Sequence, residues 1–88
     1  MIQKYLVEFF GSFFFIFVIL ATGQAVPIGL ALILAIMIGG KISGGHFNPA
    51  VTVTMFFSGK TKLNDVPGYI VAQTLGGIGA AFLKKLVF

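Results

Sequence analysis

Few side chains in this 88-residue chain can do chemistry. There are two carboxylates, Glu8 and Asp65, one histidine, His46, and six lysines, with no cysteine and no arginine. A metal site needs several converging ligands, and His46 has neither a second histidine nor a cysteine to join it. No nucleophile–base pair and no phosphate-binding loop can be assembled, so no enzymatic reaction and no cofactor are expected. What remains is hydrogen-bond chemistry in "KISGGHFNPAVTVTMFFSGK", residues 41–60.

Asn48 and Pro49 carry the clearest signal in that stretch. Asparagine is a strong N-cap, because its side-chain oxygen accepts a bond from a first-turn backbone N–H. Proline suits the first helical position, where a missing N–H costs nothing. With its oxygen so occupied, the Asn48 amide keeps an NH₂ free to donate. The first turn of the helix adds a partial positive charge beside it. A donor next to a positive dipole suits a neutral hydrogen-bonding solute and repels cations.

The elements that must hold Asn48 are set by composition. The chain is 58% hydrophobic and 9% charged, with a mean hydropathy of +1.07. Those values lie outside the soluble globular range. The net charge of +4 does not signal nucleic acid, since the lysines sit at the ends of apolar runs, where interfacial anchors belong. The basic, then apolar start resembles a signal peptide, but Glu8 interrupts it and further spans follow, so the segment is expected to stay.

Residues 5–23 are long enough for a spanning helix, and Pro27 marks the start of a second apolar run over 28–40. A third long run covers 66–83 and ends at Lys84 and Lys85. Between the last two lies the run 49–57, which at ~1.5 Å per residue rises only about half a ~30 Å hydrocarbon core. Lysines flank it on both sides, so the chain is expected to enter and leave by one face. Backbone that turns near the midplane needs protein or a water-filled cavity around it.

Lys4, Lys41, Lys60 and Lys62 fall on one side and Lys84 with Lys85 on the other, which places the N-terminus in the cytoplasm. Tyr5 and Tyr69 are expected at the cytoplasmic interface. Gly11, Gly29, Gly76, Gly77 and Gly79, with Ala80 and Ala81, are expected to let helices pack closely. The phenylalanines of 9–17 read as lipid-facing and packing surface. Glu8 has three readings: a brace inside the bundle, an interfacial group near Lys4, or a proton-coupling site.

Three segments then resemble one family in its own order: "EFFGSFFFIF" at 8–17, "GGKISGGHFNPAVTV" at 39–53 and "YIVAQTLGGIGAA" at 69–81. The chain resembles the N-terminal half of a major intrinsic protein, the family of aquaporins and aquaglyceroporins. That resemblance implies an all-α membrane fold: an aquaporin-like half-repeat of three transmembrane helices plus one re-entrant half-helix. The single unit 1–88 divides into a helix over about 4–23, a helix over about 26–41, a loop and half-helix over about 42–58, and a helix over about 66–86.

The resemblance also implies roles. Asn48, Pro49 and Ala50 form the pore signature, and the carbonyls of Gly44, Gly45, His46 and Phe47 line the cytoplasmic half-pore. His46 braces the loop and borders the pore. Glu8 and Gln73 hydrogen-bond the re-entrant backbone. The permeants are water and small neutral solutes such as glycerol.

The chain departs from the family in carrying one repeat and one signature triplet. A single half cannot enclose a pore, so a second half is expected: an inverted copy in an antiparallel homodimer, a separate complementary chain, or the rest of a longer protein of which this is a fragment. Dual insertion is possible, but four lysines against two disfavour it. The selectivity-filter positions fall on Ile28 and, in an inverted partner, on Ile36, Gly45 and Val51, giving an apolar, uncharged constriction with weak discrimination. Two other classes stay open: a small dual-topology, proton-coupled exporter working through Glu8, and a non-conducting membrane subunit of a split channel.

Overall fold

A computed structural model describes all 88 residues, Met1–Phe88. Four α-helices account for most of the chain: α1 (Ile2–Thr22), α2 (Ala25–Ser43), α3 (Pro49–Phe57) and α4 (Val66–Val87). A single 3₁₀ turn, Leu63–Asp65, leads into α4. Three segments are long and apolar enough to cross a bilayer: Ile2–Thr22, Ala25–Ser43 and Leu63–Val87. The bundle is 39 Å long, enough for a ~30 Å hydrocarbon core with both interfaces. The expected all-α class holds.

The boundaries follow local chemistry. Helix α1 ends at Gly23, whose φ of 59° is left-handed, and its N–H bonds back to Ile19 O at 2.9 Å. Only Gly23 and Gln24 separate α1 from α2, so the two pack as an antiparallel hairpin. Helix α2 runs past the expected end near 41 to Ser43. It stops at Gly44, which takes φ 89° and returns its N–H to Gly40 O at 2.8 Å. "KIS" is therefore helical, and the loop proper is Gly44–Asn48.

Packing is the reverse of a water-soluble core. The buried residues of α2 are Ala31, Ala35, Gly39 and Ser43, four apart and all small. Those of α4 are Tyr69, Ala72, Gln73, Gly76 and Ala80. Helix α1 lies between these two stripes and buries Glu8 and Ser12. Large apolar side chains such as Phe10, Phe14, Ile33 and Met37 face outward. In lipid that arrangement costs nothing, and small residues let backbones approach for dispersion contact.

The glycines sort by what faces them. A Cβ on Gly76 would overlap the Phe9 carbonyl, and one on Gly11 would overlap the Phe47 ring. Gly77 meets Ile16 and Gly79 meets Phe13, while Ala80 is sealed. Gly29 departs from expectation: a Cβ added there would meet nothing within 4 Å, so that face packs against no helix of this chain. Tyr69 departs as well. It is only 5% exposed and turns inward, because its hydroxyl is held by Ser43 O at 2.6 Å.

Candidate functional site: a braced loop ahead of a half-length helix

The loop Gly44–Asn48 is tied down through its N–H groups. Gly45 N donates to Ser43 Oγ at 3.1 Å. His46 N donates to Glu8 Oε2 at 3.0 Å and Phe47 N to Glu8 Oε1 at 2.8 Å. Ser43 Oγ donates to Glu8 Oε2 at 2.8 Å, and Gln73 Nε2 to Glu8 Oε1 at 2.8 Å. Two carboxylate oxygens thus accept four bonds, the full capacity of the group.

Glu8 is completely buried, which overturns the interfacial alternative. A buried carboxylate is tolerated only when its acceptor positions are filled, and here all four are. That leaves no position for a transported cation. Its four bonds join Ser43, two loop N–H groups and Gln73.

The carbonyls behave oppositely. Those of Gly44, Gly45, His46 and Phe47 accept no hydrogen bond from any group of the chain. A segment whose N–H groups all point into protein presents its carbonyls elsewhere. Phe47 takes a φ of 53°, rare for a residue with a side chain, and its ring fills the space left by Gly11. The left-handed backbone turns the chain out of the loop and into α3.

Asn48 caps α3 as its type requires. Its φ and ψ are −163° and 124°, and Oδ1 accepts from Ala50 N at 2.7 Å. Pro49 occupies the first helical position. Asn48, Pro49 and Ala50 are all exposed on the surface of this chain, and the Asn48 amide nitrogen has no partner within it. Nine residues of α3 rise ~14 Å, half a hydrocarbon core.

His46 Nδ1 lies 2.8 Å from Thr52 Oγ1, and Thr52 Oγ1 also accepts from Gln73 Nε2 at 2.9 Å. Gln73 therefore reaches Glu8 and Thr52 rather than the loop backbone itself, a correction to the expectation. It reaches them from α4 and acts through side chains. Neither Thr52 nor Ser43 is distinctive in sequence, since serine and threonine abound in spans. The motif "NPAVT" could still have flagged Thr52, one helical turn past the cap.

Both flanks of α3 meet at one end of the bundle. Ser43, Gly44 and His46 before it, and Lys60, Lys62 and Asp65 after it, line one polar cavity of about 450 Å³. Lys4 Nζ bonds Asp65 Oδ1 at 2.9 Å, and Tyr5 OH bonds the same oxygen at 3.0 Å. Asp65 thereby ties the start of α4 to α1.

The filter positions are not gathered in this chain. Ile36 and Gly45 are neighbours, since a Cβ on Gly45 would stand 3.3 Å from Ile36 Cγ1. Val51 borders a shallow hollow of about 310 Å³ with Ala50, Thr54 and Met55 on the open face of α3. Ile28 lies two helical turns along α2 from Ile36, toward the far end from the loop.

Residues 20–88 match the major intrinsic protein family. The chain belongs to that family. It is 45% identical over 92 residues to glycerol uptake facilitator protein-like 6 of Lactiplantibacillus plantarum, covering 94% of this chain and 43% of the relative. Identity is 38% over 101 residues with nodulin-26 of Glycine max, covering 99% and 37%. It is 34% over 101 residues with aquaporin NIP1-1 of Arabidopsis thaliana, covering 99% and 34%. The chain spans less than half the length of the curated relatives it matches. Three apolar helices and this membership make it an integral membrane protein with an aquaporin-like fold. Family members are passive membrane channels for water and small solutes, not enzymes.

Proposed function

We propose that residues 1–88 form one half-repeat of a passive channel for water and small neutral solutes, with its pore completed by a second half. The carrying observation is Asn48. Its oxygen is used by the cap, and its amide nitrogen stands exposed at the positive end of a helix half a bilayer long. In lipid an unpaired amide and four free carbonyls would cost several kcal/mol each, as an order of magnitude. Facing a shared lumen, they are donors and acceptors for a permeant in single file.

In this scheme the carbonyls of Gly44, Gly45, His46 and Phe47 accept from the permeant, and Asn48 donates to it. Glu8 and Gln73 fix the loop rather than touching solute. With an inverted copy as the second half, Ile28 of this chain would meet Ile36, Gly45 and Val51 of that copy in an uncharged, apolar constriction that passes glycerol-sized solutes along with water. The names of the relatives, a glycerol uptake facilitator among them, support that permeant class. The lysine bias puts the N-terminus and the mouth of the loop in the cytoplasm. The same bias favours a separate companion half over an inverted copy.

Proteoliposome swelling and shrinkage with the complete channel tests the scheme. Asn48→Asp keeps a capping oxygen but removes the donor and adds negative charge. It is expected to lower water and glycerol flux by about tenfold, the effect of ~1.4 kcal/mol on a barrier. Unchanged flux would leave a non-conducting subunit as the better description.

A further inference from the structure

The hydrogen bonds around Thr52 settle a question that the pore scheme leaves open, namely which nitrogen of His46 carries the proton. Three steps of donor counting lead to the answer. Glu8 Oε1 can only accept, so the Gln73 group 2.8 Å from it is the NH₂ and not the carbonyl oxygen. The second hydrogen of that NH₂ is then directed at Thr52 Oγ1, 2.9 Å away. Thr52 Oγ1 has one further partner, His46 Nδ1 at 2.8 Å, and no carbonyl within bonding reach for its own hydrogen.

The hydroxyl of Thr52 must therefore donate to His46 Nδ1. Were Nδ1 protonated, Thr52 Oγ1 would face two donors and its hydrogen would have no acceptor in a sealed site, Thr52 being fully buried. The imidazole proton then lies on Nε2. That nitrogen has no partner in the chain, and His46 borders the polar cavity at the mouth of the loop.

We infer that Thr52, oriented by Gln73 and Glu8, is a positioning residue that fixes His46 as an Nε2–H donor facing the mouth cavity. The loop then offers its acceptors with a fixed donor beside them, so a hydroxylic solute or water meets both at the entrance. The tautomer rests on the hydrogen bonds alone. Only its consequence for flux rests on the half-pore scheme.

Nitrogen-15 NMR of the complete channel in bilayers, labelled on histidine, reads the tautomer directly. His46 is the one histidine of this chain, and His46→Asn identifies its signals. A protonated Nε2 with a hydrogen-bonded, unprotonated Nδ1 is expected, retained in Thr52→Ser and lost to the other tautomer or a mixture in Thr52→Val. Protonated Nδ1 in the unmodified protein would overturn the assignment, as would an unchanged spectrum in Thr52→Val. If Thr52→Val does not assemble, the unmodified protein and Thr52→Ser still decide it. Flux is a separate readout: an Nε2–H spectrum with no flux change in His46→Asn upholds the tautomer and removes His46 from the permeation path.

Discussion

Glu8 works by filling its acceptor positions, so its replacement can be argued bond by bond. Glutamine keeps one oxygen and puts an NH₂ where the other oxygen was. Two of the donors Ser43 Oγ, His46 N, Phe47 N and Gln73 Nε2 then face another donor. Each stranded buried group costs about 1–3 kcal/mol, so Glu8→Gln is expected to lower stability by ~2 kcal/mol or more. Thermal unfolding in detergent measures it, and an unchanged midpoint would mean the loop is held elsewhere. Tyr69→Phe removes one bond, to Ser43 O, and is expected to cost about 1 kcal/mol in the same assay. The Lys4–Asp65 pair is partly exposed and screened by salt, so its loss is expected to cost no more than about 1 kcal/mol.

At the level of elements, the helices meet where side chains are absent, and two glycines make opposite predictions. A methyl on Gly76 would run into the Phe9 backbone, which cannot move unless α1 and α4 separate. Gly76→Ala is therefore expected to cost at least the ~1–3 kcal/mol typical of overpacking. Gly29 faces open space, so Gly29→Ala should be neutral or slightly stabilising, by up to ~1 kcal/mol of helix propensity. Unfolding of the two variants side by side separates the effects. If Gly29→Ala instead weakened the complete channel, that face of α2 would be packed against another chain.

At the level of the whole molecule, the orientation of α3 follows from which groups share one end. Residues before and after α3 line the same cavity at one end of the bundle, and in the proposed scheme 49–57 leave by the face they enter. A cysteine at Leu63, in a chain that has none, is then expected to react with an impermeant reagent from the cytoplasmic side only. Labelling from both sides of intact vesicles would instead mean dual insertion and an inverted copy as the second half. Labelling from outside alone would reverse the orientation taken from the lysines.

Sequence by itself determined the number of spans, the short helix and its cap. Run length, lysine placement and the Asn48–Pro49 pair are local quantities, and each acts within a turn or two of its own position. The tertiary structure alone decided which four donors fill Glu8, why Tyr69 turns inward, that Asp65 joins α4 to α1, and that Thr52 sits between Gln73 and His46. Those contacts connect residues from 6 to 65 positions apart. A hydrogen bond between distant residues depends on how helices are rotated about their axes. That rotation was set by which glycines and alanines let the backbones touch, a property of pairs of helices and not of any one run.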